Sequence, residues 1–209
     1  MSNSIAIPDE VLANARRVVA ANAKSKAQIL RFTKGTFHLG VEKTPVPPGT
    51  RFTLLMDQAR FGWQKWVAGR PENVVGRVVD GYVPTGRDEL GDDEREHWVE
   101  NPITRMPEDP WKEVVFLTMV GPGNTPVMFT SSSTSGIVEF WALMNEWIKL
   151  APEHPGEMPV MEIGVASFDT KKYGRIQRPD FKIVDWISAP APTTAQAEAK
   201  TFNEEEIPF

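Results

Sequence analysis

The sequence predicts a mainly β protein of the α+β class, in which a small barrel carries one amphipathic helix. Short runs of alternating apolar and polar residues recur from Phe37 onward, as in strands with one buried face. Apolar residues at helical spacing interrupt these runs once, over 137–149. A chain of 209 residues with 41% hydrophobic content can bury one sizeable core. We therefore expect a single domain over 33–188, with appendages.

Residues 1–32 are expected to form a helical appendage to that domain. A helix over 8–30 would place its apolar residues on one face, and Pro8 suits its first turn. The residues on this face are Val11, Leu12, Ala15, Val18 and Val19. The pattern leaves open whether the helix packs on the domain or mediates self-association.

Two strands are predicted in the first half of the domain. Apolar residues alternate over 51–56, and beyond Gly62 they take the opposite parity. A parity switch at a glycine is typical of a β-bulge, so we expect the chain to bend at Gly62. Residues 74–83 form the second strand, with Gly76 and Gly81 as bending points.

A polar and acidic stretch over 84–110 then interrupts the strands. Prolines punctuate it, and no apolar periodicity runs through it. It is therefore predicted to be an inserted loop without regular structure, and loops of this length are usually functional or disordered.

The second half of the domain begins with the most hydrophobic strand, over 113–120, which we expect to be fully buried. A glycine-rich turn leads to a partner strand at 126–130. Apolar residues alternate again over 161–165, and a last strand covers 175–187. Because proline cannot donate a ladder hydrogen bond, Pro179 predicts an edge strand or a bulge there.

The amphipathic helix over 137–149 follows a serine-rich stretch, 131–135, that can supply its N-cap. Trp141 and Trp147 lie on its apolar face and are assigned to the core. One helix between the third and fourth principal strands is the order of an oligonucleotide-binding barrel, or OB fold. A different sandwich or barrel with a packed helix would give a similar pattern.

The formal net charge of −5 conceals a division along the chain. Residues 190–209 carry −3 and residues 87–109 carry −6, which leaves +4 on the rest. Residues 24–70 alone hold nine Lys or Arg against two acids. A basic surface can therefore coexist with acidic appendages.

The residue types present argue against several kinds of site. The chain has no cysteine, and His38, His97 and His154 lack the spacing of zinc ligands. No apolar run is long enough to span a membrane, and the N-terminus lacks a signal-peptide pattern. We expect a soluble, cytoplasmic protein without a metal or cofactor.

Residues 60–70 interleave cations with aromatic rings, the combination that binds single-stranded nucleic acid without sequence preference. Phe61, Trp63 and Lys65 share strand parity and would line one face. A role in the core is the competing interpretation for Trp63 and Trp66. The candidate residues of this stretch are Arg60, Phe61, Trp63, Lys65, Trp66 and Arg70.

A second basic stretch lies at 171–178, where the last two strands would turn. In OB barrels the hairpin at this place contacts nucleic acid, although a solvated turn is the competing interpretation. Arg51 and Arg77 are weaker candidates on strands that face the same region. The candidates of this stretch are Lys171, Lys172, Tyr173, Arg175 and Arg178.

The sequence shows no catalytic constellation, so we expect a binding protein rather than an enzyme. A nuclease is the enzymatic alternative, and it would need carboxylates that converge from ordered strands. The acids that could converge in this way are Asp57, Asp80, Glu162, Asp169 and Asp185.

The C-terminal tip is an acidic run with an apolar end, preceded by a linker over 189–203 that is rich in Ala, Pro and Thr. The tip consists of Glu204, Glu205, Glu206, Ile207, Pro208 and Phe209. Its acids would steer it towards a basic surface, and a partner's pocket could take both Ile207 and Phe209. A disordered end without function is the competing interpretation.

This tip resembles the acidic tip of bacterial single-stranded-DNA-binding proteins, which ends in a run of acids and then Ile-Pro-Phe. Glu stands here where the family usually has Asp, which keeps the charge. The resemblance covers six residues and implies an OB barrel that protects single-stranded DNA, with a tip that recruits replication, recombination and repair enzymes. The body is longer than the family's domain and the linker is shorter, so the family's homotetramer is not implied and self-association stays open. A bacteriophage or mobile-element origin would suit these differences.

Two classes of function follow from these observations. The first is a protein that coats single-stranded DNA without sequence preference and recruits partners through its tip. The second is an adaptor or decoy that uses the tip to engage the same partners without coating DNA. In the first class, the acidic loop and the tip could also lie across a basic groove and compete with phosphate. A merely solvated charge run is the competing interpretation for the loop.

Overall fold

The structure, a computed structural model, describes residues 27–102, 104–170 and 174–188. These residues form ten strands and one α-helix, joined by short 3-10 turns. The strands are β1 (Gln28–Thr33), β2 (Thr36–Leu39), β3 (Thr44–Val46), β4 (Arg51–Leu54), β5 (Arg60–Val67), β6 (Arg70–Arg77), β7 (Lys112–Gly121), β8 (Thr125–Ser131), β9 (Glu157–Thr170) and β10 (Gly174–Ser188), and the helix is α1 (Thr134–Leu150). Within the described ranges no helix is both long and apolar enough to cross a membrane.

All ten strands belong to one sheet, whose main path runs β10-β9-β4-β7-β8-β1-β2-β3. β5 continues from β4 after a 3-10 turn at Met56–Gln58, and it pairs with both β7 and β6. Neighbouring strands are antiparallel except β1 and β8, which are parallel. The sheet curls into an open half-barrel, so the predicted mainly β fold with one helix is confirmed.

Aromatic contacts show how far the sheet curls. Phe181 on β10 and Phe37 on β2 lie near opposite ends of the strand order, yet their ring centroids are 6.1 Å apart. Phe181 also meets Phe129 of β8 edge to face, at 5.1 Å. The two ends of the sheet therefore share one buried core.

Helix α1 covers this core and begins where the sequence predicts. The Ser133 hydroxyl accepts the N–H of Gly136, which satisfies one of the free donors of the first turn. Phe140 is fully buried in the core, and Trp141 and Trp147 pack against it. The assignment of both tryptophans to the core is therefore confirmed.

The predicted N-terminal helix is wrong at its end, because residues 28–30 belong to β1. Leu30 pairs with Phe129 on one side and Leu39 on the other, and it is fully buried. Pairing between distant strands thus overrides the local helical spacing. The rest of that predicted helix lies outside the described residues.

The predicted bulge at Gly62 is also wrong. The pairing of β5 with β6 and β7 runs through Gly62 without a shift of register. The parity changes earlier, at the 3-10 turn Met56–Gln58. Gly62 is needed for another reason, since its φ is +149° and a Cβ there would lie 2.2 Å from the carbonyl oxygen of Val74.

The strand predicted over 74–83 ends earlier than expected, at Arg77. A 3-10 turn follows at Val78–Asp80, and Gly81 closes it with a left-handed backbone. Gly76 lies in regular pairing, where a Cβ would meet the ring of Tyr82. The prediction for Pro179 is confirmed by the position of β10 at one end of the sheet, whereas the register shift of this strand lies further on, at Ile183/Asp185.

Candidate nucleic-acid interface

A row of mostly basic and polar side chains, with the buried ring of Phe116 among them, crosses the face of the sheet opposite the main core cluster. Residues paired directly across strands share a face of the sheet, so the register defines this row. From β6 to β8 it contains Arg77, Arg60, Phe116 and Thr130. The row continues with Arg31 on β1 and His38 on β2, which pair with each other. Arg31 follows Leu30, the partner of Phe129, and is therefore next to Thr130 on the same face. We call these six residues the basic row.

Arg60 lies on β5, between Arg77 and Phe116 of the basic row. Its guanidinium is half-buried and lies 5.4 Å from the centre of the Phe116 ring, which is only 7% exposed. Burial lowers the pKa of Arg60 because desolvation penalises the charged form. Within the described residues no carboxylate forms an ion pair with Arg60, so its charge is available to an anion.

The other cations of the basic row differ in how they are held. Arg31 is exposed, and in the described part of the chain it has no ion-pair partner. Arg77 donates two hydrogen bonds to Asp80, at 2.7 and 3.0 Å. Arg51 is also on this face of the sheet, where it pairs with Glu162 at 3.1 Å. Arg31 and Arg60 are therefore the cations of this face that an incoming phosphate would meet without displacing a carboxylate.

The opposite face of β5 carries the predicted set of Phe61, Trp63 and Lys65, and it is covered. Phe61 packs edge to face against Trp141 at 4.8 Å and against Tyr82 at 5.5 Å. Because Phe61 belongs to the margin of the core, the prediction that it stacks on bases is not supported by its position. The three side chains share a face, as their parity predicts, but the core and the acidic stretch occupy this face.

Trp63 and Lys65 contact the acidic stretch over 84–110, which we call the acidic segment. The indole N–H of Trp63 donates to the carbonyl of Thr85 at 2.9 Å. The Lys65 ammonium lies 2.9 Å from Asp92 and 3.3 Å from Glu72. The hydrogen bond from Lys65 lowers the pKa of Asp92, and the same bond raises the pKa of Lys65.

The described residues of the acidic segment form a loop with neither α-helix nor strand, and the chain's own ion pairs order it. Arg87 is its centre, because it pairs with Asp109 at 2.7 Å and Asp93 at 3.0 Å and also donates to the backbone at Gly91. Two 3-10 turns and a β-bridge between Glu100 and Pro107 add local order. Composition suggested disorder because it counts charges and does not show which of them pair.

Trp111, just before β7, anchors the acidic segment to the sheet at Asp92, and Trp98 contacts the same residue from within the segment. Trp111 is 6% exposed, and its indole N–H donates to the Asp92 carboxylate at 3.0 Å. Trp98 donates to the Asp92 carbonyl. The Lys65 ammonium lies 4.8 Å from the centre of the Trp111 ring. Asp92 therefore joins β5 to the segment through both charge and hydrogen bonds.

Trp66 and Arg70 lie near the tip of the β5–β6 hairpin, and both are exposed. Trp66 is 63% exposed and borders a cleft of about 790 Å³. Trp98 and several carboxylates of the acidic segment line the other side of this cleft. The carboxylates would repel phosphates, so Trp66 can stack on a base only from the side that faces away from them.

The β9–β10 hairpin is described only in part, since Lys171, Lys172 and Tyr173 lie outside the described residues. Arg175 is exposed and donates to the hydroxyl of Ser167 at 2.9 Å. Arg178 instead pairs with Glu139 of α1 at 3.1 Å. Arg178 therefore has a structural role in joining α1 to β10.

Sequence reasoning missed part of the basic row, namely Arg31, His38, Phe116 and Thr130. Phe116 reads as core because it stands in a continuous apolar run, and Arg31 falls in the appendage predicted over 1–32, just beyond the predicted helix. The general signal was the excess of cations over 24–70, which includes Arg31 and Arg60. Only the strand register shows that these residues meet.

No protein-family model, curated protein or solved structure matches this chain. Among the described side chains no three His, Cys, Asp or Glu residues come together as metal ligands, so the five acids considered for a nuclease form no such group there. Asp80 and Glu162 instead pair with Arg77 and Arg51. The linker and the tip, Glu204 to Phe209, lie outside the described residues.

Proposed function

We propose that this protein binds single-stranded DNA without sequence preference and recruits replication, recombination or repair proteins through its C-terminal tip. The observation that carries the DNA-binding part is the basic row, which crosses β7 and β8 on the face opposite the core. Proteins hold single-stranded DNA with cations placed along its phosphates, and most of the binding affinity comes from these contacts. Arg31 and Arg60 supply two cations with no competing carboxylate in the described residues.

We further propose that the half-barrel is an OB fold with additions. In this assignment β4 and β5 together are the first strand, β7 and β8 are the second and third, and β9 and β10 are the last two. Helix α1 then stands between the third and fourth strands, which supports the assignment. OB barrels bind oligonucleotides on the face of the second and third strands, and the basic row crosses that face here.

The tip supports the recruiting part of the proposal through its sequence. Three glutamates followed by Ile207, Pro208 and Phe209 match the tip of single-stranded-DNA-binding proteins in charge and in apolar end. A short peptide that ends in apolar residues and a free carboxylate can bind in an apolar pocket with basic edges. The tip would then recruit enzymes to the single-stranded DNA that the domain has bound.

The proposal is tested by titrating labelled oligo(dT) of several lengths with the full chain and following fluorescence anisotropy. We expect binding that tightens with length, weakens steeply with salt and is not competed by duplex DNA. A mixed-sequence single strand should compete as well as oligo(dT). Absence of binding at 50 mM salt, or equal competition by duplex, would contradict the proposal.

The contacts of Trp63 and Lys65 favour a second candidate, the adaptor that engages partners without coating DNA. These two residues of the strongest basic-aromatic stretch are engaged by the chain's own acidic segment. An adaptor would keep its tryptophan fluorescence when poly(dT) is added at low salt, yet would bind a purified enzyme that recognises acidic Ile-Pro-Phe tips. Quenching that salt reverses would favour the DNA-coating protein instead.

A further inference from the structure

We infer that the Trp63–Lys65 surface of β5 is a second subsite for single-stranded nucleic acid, and that the acidic segment occupies it in the free protein. The inference rests on the proposed function and adds a regulated site to it. The basic row lies on one face of β5, whereas Trp63 and Lys65 lie on the other. Single-stranded DNA that passed the edge of the β5–β6 hairpin could contact both faces of β5.

The contacts of Lys65 are those expected of a phosphate-binding cation that holds a substitute anion. An ammonium, an indole ring and a nearby indole N–H are the groups that bind the charge and the flat face of a nucleotide. Here the Asp92 carboxylate accepts from Lys65 at 2.9 Å and from the indole N–H of Trp111 at 3.0 Å. Asp92 therefore stands where a phosphate oxygen would bind.

The segment is held on this surface by few contacts from the hairpin. They are the Lys65 ion pair with Asp92 and the hydrogen bond from Trp63 to the backbone of Thr85. Most of the other polar contacts of the segment are internal and centre on Arg87. On the β7 side, Trp111 adds its hydrogen bond to Asp92, and Lys112 pairs with Glu108 near the end of the segment. The ion pairs of Arg87 do not depend on Trp63, Lys65 or Trp111, so the segment can move away from these residues while keeping its internal order.

A polyanion is the ligand that this arrangement selects. A polyanion would bind Lys65 in place of Asp92. Because the acidic segment carries a strong negative charge, the bound phosphates would then repel it. A neutral ligand would gain nothing from breaking the ion pair. Single strands, whose unstacked bases can lie on Trp63, fit the subsite better than duplex DNA does.

The test compares Asp92→Asn with Glu96→Gln in the full chain. Each variant replaces one carboxylate of the acidic segment by its amide, so both change the net charge equally. Glu96 is the control because it is exposed and no ion pair within the described residues involves it. We expect Asp92→Asn to tighten oligo(dT) binding about three- to tenfold at 50 mM salt, because Lys65 then keeps only Glu72 as an ion-pair partner and can contact phosphate. Glu96→Gln should tighten it less than about twofold. Equal effects of the two variants would overturn the inference.

A double-mutant cycle shows whether the gain depends on Lys65. Lys65→Gln should lower the affinity for oligo(dT) more in the Asp92→Asn protein than in the wild type, since the two side chains act through one contact. Additive effects would overturn the inference even if Asp92→Asn tightened binding.

A second readout does not depend on how Asp92→Asn folds. The chain has no cysteine, so Glu96→Cys provides a single site for an environment-sensitive dye on the acidic segment. Oligo(dT) should change the emission of this dye as the segment detaches. If the protein binds oligo(dT) and the emission does not change, the inference is wrong while the proposed function stands. If no variant binds oligo(dT), both fall.

Discussion

The Glu139 carboxylate of α1 accepts the backbone N–H of Phe181 on β10 at 2.7 Å, and it accepts a second hydrogen bond from Arg178 at 3.1 Å. Glu139 is 4% exposed, and β10 forms one end of the sheet. A free strand edge leaves N–H groups unpaired and can pair with another chain. The helix thus supplies a side chain that satisfies the edge at the point where Phe181 enters the core.

Replacement of Glu139 by alanine should therefore destabilise the domain by about 1–3 kcal/mol, because it leaves a buried N–H without an acceptor. Glu139→Gln keeps an amide oxygen that can accept from Phe181 and should cost less than half as much. Urea unfolding followed by tryptophan fluorescence measures both. Equal losses in the two variants would show that charge, rather than the accepted N–H, is what stabilises the edge.

The same carboxyl predicts a dependence of stability on pH. Desolvation by burial raises the pKa of Glu139 above its ordinary value, so the folded protein holds this proton more tightly than the unfolded chain does. Its contribution to stability is therefore fully present below the unfolded pKa and is lost as pH rises through the folded pKa. The free energy of unfolding of the wild type, relative to Glu139→Gln, should fall as pH rises from about 4 towards neutrality. A constant difference between the two proteins would contradict this assignment.

Gly62 provides a prediction about the fold itself. Gly62→Ala should cost about 1–3 kcal/mol more than Gly69→Ala, since a Cβ at Gly62 would lie 2.2 Å from the Val74 carbonyl oxygen, whereas nothing lies within 4 Å of one at Gly69. Both glycines have positive φ, +149° at Gly62 and +79° at Gly69, so the expected difference combines the steric clash at Gly62 with its more restricted backbone. Thermal unfolding of the two variants measures it, and equal losses would show that the clash relaxes at no cost.

The predictable and unpredictable parts of the fold differ in the range of the interactions that determine them. Helix α1 and strand β7 follow from local signals, namely a serine cap with helical spacing and a continuous apolar run. β1 could not be predicted in this way, because Leu30 is in a strand only through its partners Leu39 and Phe129. Helical spacing nearby gave the opposite answer.

The candidate site shows the same division. The stretch over 60–70 was correctly located as a place where cations and rings meet. Its two faces could not be assigned, because Asp92 lies 27 residues beyond Lys65 and Phe116 reaches Arg60 only through strand pairing. Composition locates charges along the chain, and tertiary pairing decides which of them remain available.

The tip supplies a prediction that does not depend on the described residues. Removal of residues 202–209 should abolish binding of an enzyme that recognises acidic Ile-Pro-Phe tips, because Ile207, Phe209 and the terminal carboxylate are lost. The same truncation should tighten oligo(dT) binding at low salt, since an intramolecular anion no longer competes for the basic surface. Surface-immobilised partner and oligo(dT) can each be titrated with both proteins. Retained binding of the enzyme would refute the recruiting role, and unchanged DNA affinity would argue against competition by the tip.

The central claim, that single-stranded DNA lies along the basic row, is tested most directly by comparing Arg31→Gln with Lys149→Gln. Both residues are exposed and each variant removes one positive charge, but Lys149 is on α1, away from the basic row. Our account predicts that Arg31→Gln weakens oligo(dT) binding about three- to tenfold at 50 mM salt, whereas Lys149→Gln changes it less than about twofold. Equal weakening by the two variants would mean that only net charge matters and that the basic row is not the binding face.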